Sequence, residues 1–535
     1  MRKVFFSVFA VLGLALFLVA CSSDKDDPMK PKKEEKKEPD SQNDPAVEKM
    51  TNTYKYVNYF SMAMMSNYYL WIDEPSVQNA LKTWSEADEP KAKVKAVRYK
   101  DSSGTDIDHW TAVYDHWSEE TKFVEGVSTT FGYDVGLTYI DSNKDGGFST
   151  GDMVFAYLTY VSANTPAEKA GLKRGDVVWA VNGIGLDYDN YYDLVNNKMF
   201  GASPVTLSTG YVKGNTVYKT DNVLSLTPVE MYVDPVLVYK VFEVNGKKVG
   251  YLHYTGFVAE SYKRLIEACQ YMKDQNVTEL ILDLRYNGGG LVLIEETLAS
   301  MLAPEENVLA GDVFLMDIYN ASRQQELGNE VSTLSTEFEF TSGGKRYQYS
   351  TKGSNIGISK IYAIITESTA SASEAILCGL WPYLGESNIV TIGQTSSGKY
   401  CTGWMIGCDD MYIKDNSSYW KQFGIDYQTA LQYADDWGIY VMVGRYADKD
   451  GKTRSMPNGL VPSVPANDDP LDGYALGDEN ETMLKVALKL AGKTYEEQPD
   501  ARVAVDKIFK RIKFSRESFL SDKHIAFPEH TLIMK

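Results

Sequence analysis

The chain has 535 residues, of which 44% are hydrophobic and 24% charged, and a formal net charge of -19. That length supports two or three domains with separate cores, and an acidic chain without a concentrated basic stripe excludes nucleic acid as a partner. Its five cysteines show no paired Cys/His spacing, so neither structural zinc nor a catalytic cysteine is supported.

Arg2 and Lys3 precede an apolar run from Val4 to Ala20, which closes on Leu18-Val19-Ala20-Cys21. A charged start, a short apolar stretch and small residues before a cysteine read as a bacterial lipoprotein signal peptide over residues 1–20. Its removal would leave Cys21 lipidated, the partner being a membrane. The run is too short to favour a permanent span. The following Ser22-Ser23-Asp24-Lys25-Asp26-Asp27 resembles acidic signals that send some Bacteroidetes lipoproteins to the cell surface. The expected location is therefore the bacterial cell envelope, at the outer membrane and surface exposed. Residues 21–47, rich in Lys, Glu, Asp and Pro, read as a solvated tether.

Residues 48–125 form an N-terminal helical segment. Val57, Phe60, Met64, Tyr68 and Trp71 follow helical spacing and make one apolar stripe packed on the body. His109 and His116, set among tryptophans, read as packing residues rather than metal ligands. Residues 126–230 form a second, β-rich unit. Within it Asp141, Asn143, Asp145 and Asp152 have the oxygen spacing of a calcium loop, with Gly146 at the turn. Strands flank that loop, so an Asx-rich hairpin is the preferred reading, and no metal or cofactor is expected.

The third unit, residues 236–494, carries the chemistry. Residues 249–254 (VGYLHY) read as a strand, Tyr262, Leu265, Ile266, Cys269 and Met272 as a helix stripe, and residues 280–284 as the next strand. Alternation of strands and helices implies an α/β core whose strand ends build the site. His253, in an alternating strand beside aromatics, reads as structural, with a triad histidine as the alternative. Residues 360–366 (KIYAIIT) are a buried strand, a helix follows from Ser371 until Pro382 breaks it, and residues 389–393 (IVTIG) return as a second buried strand. A glycine-bracketed loop then delivers Lys399. Cys269 and Cys378 read as buried thiols on helices, while Cys401 and Cys408 are placed to face each other across a hairpin, where export would permit a disulfide. Residues 412–445 are rich in aromatics and read as a wall or an extension of the substrate groove. Residues 495–535 form a tail of mixed charge with no usable motif.

A serine hydroxyl is a poor nucleophile until a base takes its proton, and lysine is one of the known alternatives to histidine. Small residues at Ala370-Ser371-Ala372-Ser373 permit a sharp turn, and free N–H groups at the helix start face any oxyanion forming there. Lysine works as the base only where burial lowers its pKa; Tyr400, Trp404 and Met405 are candidate walls. The plainer reading makes Ser371 a helix cap and Lys399 an exposed charge.

Thr369-Ala370-Ser371-Ala372-Ser373-Glu374 with Gly398-Lys399, and Leu282-Asp283-Leu284-Arg285-Tyr286-Asn287-Gly288-Gly289-Gly290, resemble the carboxyl-terminal processing peptidases, also called tail-specific proteases. Residues 108–115 (DHWTAVYD) resemble the segment before that family's PDZ domain. Residues 164–183, including Arg174-Gly175-Asp176 and Asn182-Gly183, resemble the latter half of a PDZ domain, and Pro457-Asn458-Gly459-Leu460-Val461-Pro462 the closing segment. The resemblance implies a multidomain α/β protein with a β-rich PDZ-like domain and a peptidase core of the ClpP/crotonase-like type. It implies Ser371 as nucleophile, Lys399 as general base, and an oxyanion hole from the Ala372 N–H with one from Gly289 or Gly290. A PDZ-like loop near residues 131–137, with Gly132, Tyr133, Val135, Gly136 and Leu137, would bind an extended peptide. One departure is Gly403, where many members carry a glutamine. The implied function is a membrane-tethered serine endopeptidase cleaving exported polypeptides from their C-terminal ends; the alternative is a non-catalytic surface lipoprotein that binds peptides through the PDZ-like unit.

Overall fold

The computed structural model describes residues 45–213, 216–328, 330–342, 345–414, 418–495, 510–512 and 523–526; the expected signal peptide, Cys21 and the expected tether up to residue 44 lie outside them. The first helix, Pro45–Tyr68, buries Val57, Phe60, Met64 and Tyr68 on one face, as their spacing requires. Phe60 meets Tyr412 and Tyr68 meets Trp404, with ring centroids 6.4 and 5.4 Å apart. Trp71 falls beyond the helix end, half-buried and stacked on Tyr99 at 5.7 Å. His109 and His116 do not pack as expected: both are exposed, and the burial in their segment goes to Asp108, Val113 and Trp117 instead.

The β-rich unit is reached and left through a neck in which Val127–Thr130 pairs antiparallel with Val229–Tyr232. Inside it the strands run in the order Lys510–Ile512, Tyr133–Ile140, Met153–Val161, Val177–Val181, Val205–Lys213, Thr216–Leu226. The expected peptide-binding loop is therefore mostly strand. Tyr133, Val135 and Leu137 alternate into the domain core, as period-2 geometry dictates, so a bound peptide would meet the strand edge rather than those side chains. Gly132 turns the chain at φ 89°; a Cβ there would lie 2.1 Å from Thr165, the residue that caps the short helix Pro166–Lys169.

The candidate calcium loop joins two strands of this sheet. Its oxygens serve loop amides: Asp141 accepts from Gly146 (3.0 Å), Asn143 from Asp145 (2.9 Å), and Asp152 from Ser142 (2.8 Å) and Ser149 (3.1 Å). This is an Asx-rich hairpin.

Among the described residues the third unit holds a two-stranded sheet, Glu337–Ser342 with Lys345–Ser350, and two large ones. One has the order Val236–Val244, Lys247–Tyr254, Glu279–Asp283, Lys360–Ile365, Ile389–Gly393, Val464–Pro465, and every pairing after the first is parallel. The other has the order Gly289–Leu291, Lys523–Ala526, Cys401–Gly407, Gly438–Asp448, Val313–Tyr319, Glu330–Thr333, with Ala112–Tyr114 also paired to Gly438–Asp448. Pro382 does not end the helix after the nucleophile candidate. The helix runs Ala372–Leu384 to a C-cap at Gly385, because a proline so close to the end removes little more than one bond of the ladder. Cys269 and Cys378 are buried on helices as expected. Cys401 and Cys408 are both free and cannot meet: one opens the strand Cys401–Gly407 and the other follows its far end. Seven residue steps along the extended strand separate them by about 23 Å, far beyond disulfide reach.

Candidate active site

Three adjacent parallel strands, Glu279–Asp283, Lys360–Ile365 and Ile389–Gly393, end on the same edge of the sheet. The loops leaving those ends carry Asn287, Ser371 and Lys399. Strand adjacency thus gathers residues that lie far apart in sequence.

Ser371 is the N-cap of Ala372–Leu384 and sits at φ 62°, ψ −118°, a conformation that costs a non-glycine residue about 1–3 kcal/mol. The turn is held from several sides. The Ala370 amide donates to the Asn287 carbonyl (3.1 Å), as does the Ser373 hydroxyl (3.0 Å), while Thr369 Oγ1 donates to the Leu284 carbonyl (2.8 Å). Ser371 is fully buried, and its Oγ has no hydrogen-bond partner among the described residues. The hydroxyl is therefore not spent on capping.

Glu374 joins the serine to the lysine. Its Oε2 accepts the Ser371 and Lys399 amides, both at 2.9 Å, and its Oε1 accepts the Gly398 amide at 2.8 Å and the Ser396 hydroxyl. Two main-chain amides on one oxygen make Ser371 and Lys399 backbone neighbours. Burial pushes the Glu374 pKa up to about 7, although these four donors pull the other way. The lysine loop also rests on the closing segment. Ser396 donates its amide to the Leu460 carbonyl (3.1 Å) and accepts the Leu460 amide (2.6 Å), and a Cβ on Gly459 would lie 2.2 Å from the Ser396 carbonyl oxygen.

Lys399 is fully buried rather than an exposed loop charge. Its ammonium nitrogen donates to Tyr440 Oη at 2.8 Å and lies 5.7 Å from the Trp110 ring centre and 4.9 Å from that of Tyr440. The expected walls were Tyr400, Trp404 and Met405, but Trp404 packs with Tyr68 and Arg323 instead. The Tyr440 ring also explains Gly403: a Cβ there would lie 2.4 Å from it. The phenol thus occupies the space a longer residue at 403 would need.

Of the two oxyanion candidates, the Gly289 amide is spent on Asn287 Oδ1 (2.9 Å). Gly290, at φ 141°, packs so closely that a Cβ would lie 2.2 Å from the Phe257 carbonyl oxygen. Ala372 opens the helix, where amides have no partner within the helix itself. His253 is buried 4.0 Å from Asp283, and burial lowers its pKa to about 4, so it stays neutral. Asp283 is turned to Arg285 (2.7 Å), which also binds Asp468 (2.8 Å) and Glu481 (2.6 Å).

Sequence reasoning missed Tyr440, Trp110 and the clamp role of Glu374. Only the last had a signal, since Ser371-x-x-Glu374 is the spacing of a capping box. A cavity of about 560 Å³ lined by Glu125, Tyr232, Glu260 and Lys345 lies at the neck and includes none of these site residues.

The fold and these strand-end loops define a peptidase core with an inserted PDZ domain. Residues 248–465 match the profile of peptidase family S41 and residues 157–197 that of the PDZ domain, and the chain is similar to proteases of the carboxyl-terminal-processing type. Among its relatives is the "Carboxyl-terminal-processing protease" of Picosynechococcus sp., 25% identical over 61% of this chain and 64% of the relative. The "Carboxy-terminal processing protease CtpA" of Bacillus subtilis is 24% identical over 56% of this chain and 51% of the relative. The chain thus matches about half to two thirds of the length of these relatives. A crystal structure from Bacteroides fragilis assigned to the S41 proteases shares the fold, with a TM-score of 0.59 at 22% identity over 81% of this chain and 96% of that one.

Proposed function

We propose that this protein is a serine endopeptidase in which Ser371 is the nucleophile and Lys399 the general base. The observation that carries this reading is the Ser371 Oγ, without a hydrogen-bond partner among the described residues, on a strained turn whose backbone shares the Glu374 carboxylate with that of Lys399. In the reaction the neutral Lys399 amine takes the serine proton as Oγ attacks the peptide carbonyl. The N–H groups of Ala372 and Gly290 hold the oxyanion, a feature worth about 3–4 kcal/mol elsewhere. The lysine then returns the proton to the leaving amine, and water attacks the resulting ester. Tyr440 orients the amine, the task for which Gly403 has no side chain.

The substrate class is extended polypeptide of exported proteins, entering from C-terminal ends, with the PDZ domain presenting them. Lipidation of Cys21 would hold the enzyme at the outer membrane, facing outward. Incorporation of a labelled fatty acid that is lost in Cys21→Ala checks the anchor.

The test of the chemistry is incubation of residues 48–535 with an unfolded protein, beside Ser371→Ala and Lys399→Ala, with new termini read by mass spectrometry. Cleavage by the unsubstituted protein alone is expected. A Lys399→Ala protein as active as the parent would exclude this base. Peptide binding unaffected by Ser371→Ala, with no cleavage by any form, would move the reading to a binding lipoprotein.

A further inference from the structure

Two strands beyond residue 495, Lys510–Ile512 and Lys523–Ala526, touch both parts of the protein that a polypeptide substrate would use. Lys510–Ile512 adds antiparallel to the outer edge of Tyr133–Ile140, with Lys510 opposite Tyr139 and Ile512 opposite Leu137. It runs towards the turn at Phe131 and Gly132, and Ile512 packs on the PDZ core. Strand addition at that edge is how a PDZ domain takes a peptide.

Further along, Lys523–Ala526 lies in the second sheet of the core between two strands that do not otherwise pair with each other. On one side it runs parallel to Gly289–Leu291, with His524 opposite Gly290. On the other it runs parallel to Cys401–Gly407, with Ile525 opposite Gly403 and Ala526 opposite Trp404. The first neighbour holds the oxyanion candidate and the second begins two residues after Lys399. Without this strand both edges would present unpaired backbone groups to an incoming chain.

We infer that the tail strands Lys510–Ile512 and Lys523–Ala526 are an intramolecular stand-in for substrate, closing the PDZ edge and the active-site groove until an extended polypeptide displaces them. This rests on the endopeptidase reading only for its consequence in activity, not for the occupancy itself. It also identifies the groove between Gly289–Leu291 and Cys401–Gly407 as a strand-addition site in which a substrate runs in the direction of the tail.

The test uses the full chain with Ile525→Pro, which removes one backbone donor from the tail strand, and Ile512→Pro as an independent second variant. Each is made with and without Ser371→Ala. Hydrogen exchange of residues 289–291 and 401–407 should be at least tenfold faster in Ile525→Pro. The Ser371→Ala form carrying Ile525→Pro should bind a reduced, alkylated protein at least tenfold more tightly than Ser371→Ala alone. A synthetic peptide of residues 508–530 should compete for that binding. With Ser371 present, turnover of the same protein should rise by a similar factor. Unchanged exchange and unchanged binding in both proline variants would overturn the inference. Faster exchange and tighter binding without any cleavage would uphold it while rejecting the endopeptidase reading.

Discussion

Ser371 is held at positive φ by its neighbours, not by its own preference. Replacing it with glycine, which adopts that backbone freely, should stabilise the fold by about 1 kcal/mol while abolishing cleavage. Chemical denaturation and an activity assay on the same sample check both halves. Tyr440 is the second residue whose role is local. Tyr440→Phe keeps the ring over Lys399 and removes only the hydrogen bond, so kcat should fall about tenfold to a hundredfold with little change in KM or melting temperature. Equal kcat in Tyr440→Phe would remove this residue from the mechanism. The serine and lysine were legible because their segments are short motifs within one strand-helix-strand unit. Tyr440 was not, because it reaches Lys399 from a strand 41 positions away, and nothing in the residues around it marks the contact.

At the scale of elements, buried strand ends determine both the site and its pH response. His253 is the penultimate residue of the strand Lys247–Tyr254, with both ring nitrogens unpartnered among the described residues, and burial depresses its pKa to about 4 from 6.5. The folded state resists a proton that the unfolded chain accepts. Stability conferred by the neutral ring is therefore complete above about pH 6.5 and is lost as pH falls towards 4, by on the order of 3 kcal/mol. His253→Leu should flatten the pH dependence of unfolding in that window. Glu374 works in the opposite sense: its raised pKa means stability declines as pH rises from about 4.5 through 7. The buried parallel strands were readable from apolar, β-branched runs. The misreadings came where periodicity has no say: Pro382 was tolerated near a helix end, Cys401 and Cys408 lie at opposite ends of one strand, and the tail strands Lys510–Ile512 and Lys523–Ala526 carry no pattern of their own because their partners define them.

Across the whole molecule, the PDZ domain and the core share one buried ionic cluster. Arg174, from the PDZ side, donates to Asp468 (2.8 Å), to Glu481 (3.3 Å) and to Tyr286 Oη (2.7 Å), beside Arg285. Burial alone would raise the Asp468 pKa, but Arg285 and Arg174 more than offset it and hold the carboxyl well below the usual range. Removing Arg174 leaves carboxylates underpaired in a dry site, which costs about 3–5 kcal/mol in comparable pairs. Arg174→Ala should thus loosen the PDZ domain, read as faster limited proteolysis at the neck with a core of unchanged size. Sequence gave Arg174 only as part of a PDZ-like motif; its partners come from residues 286, 468 and 481, which the linear chain does not bring together. The neck itself has a different consequence. Because Thr130 already stands opposite Val229 in a ladder four pairs long, the inserted domain is attached like a bead on a closed hairpin. An Asn-Gly turn joining those two residues would preserve the ladder, so the PDZ domain can be excised and a one-piece core made from the same gene.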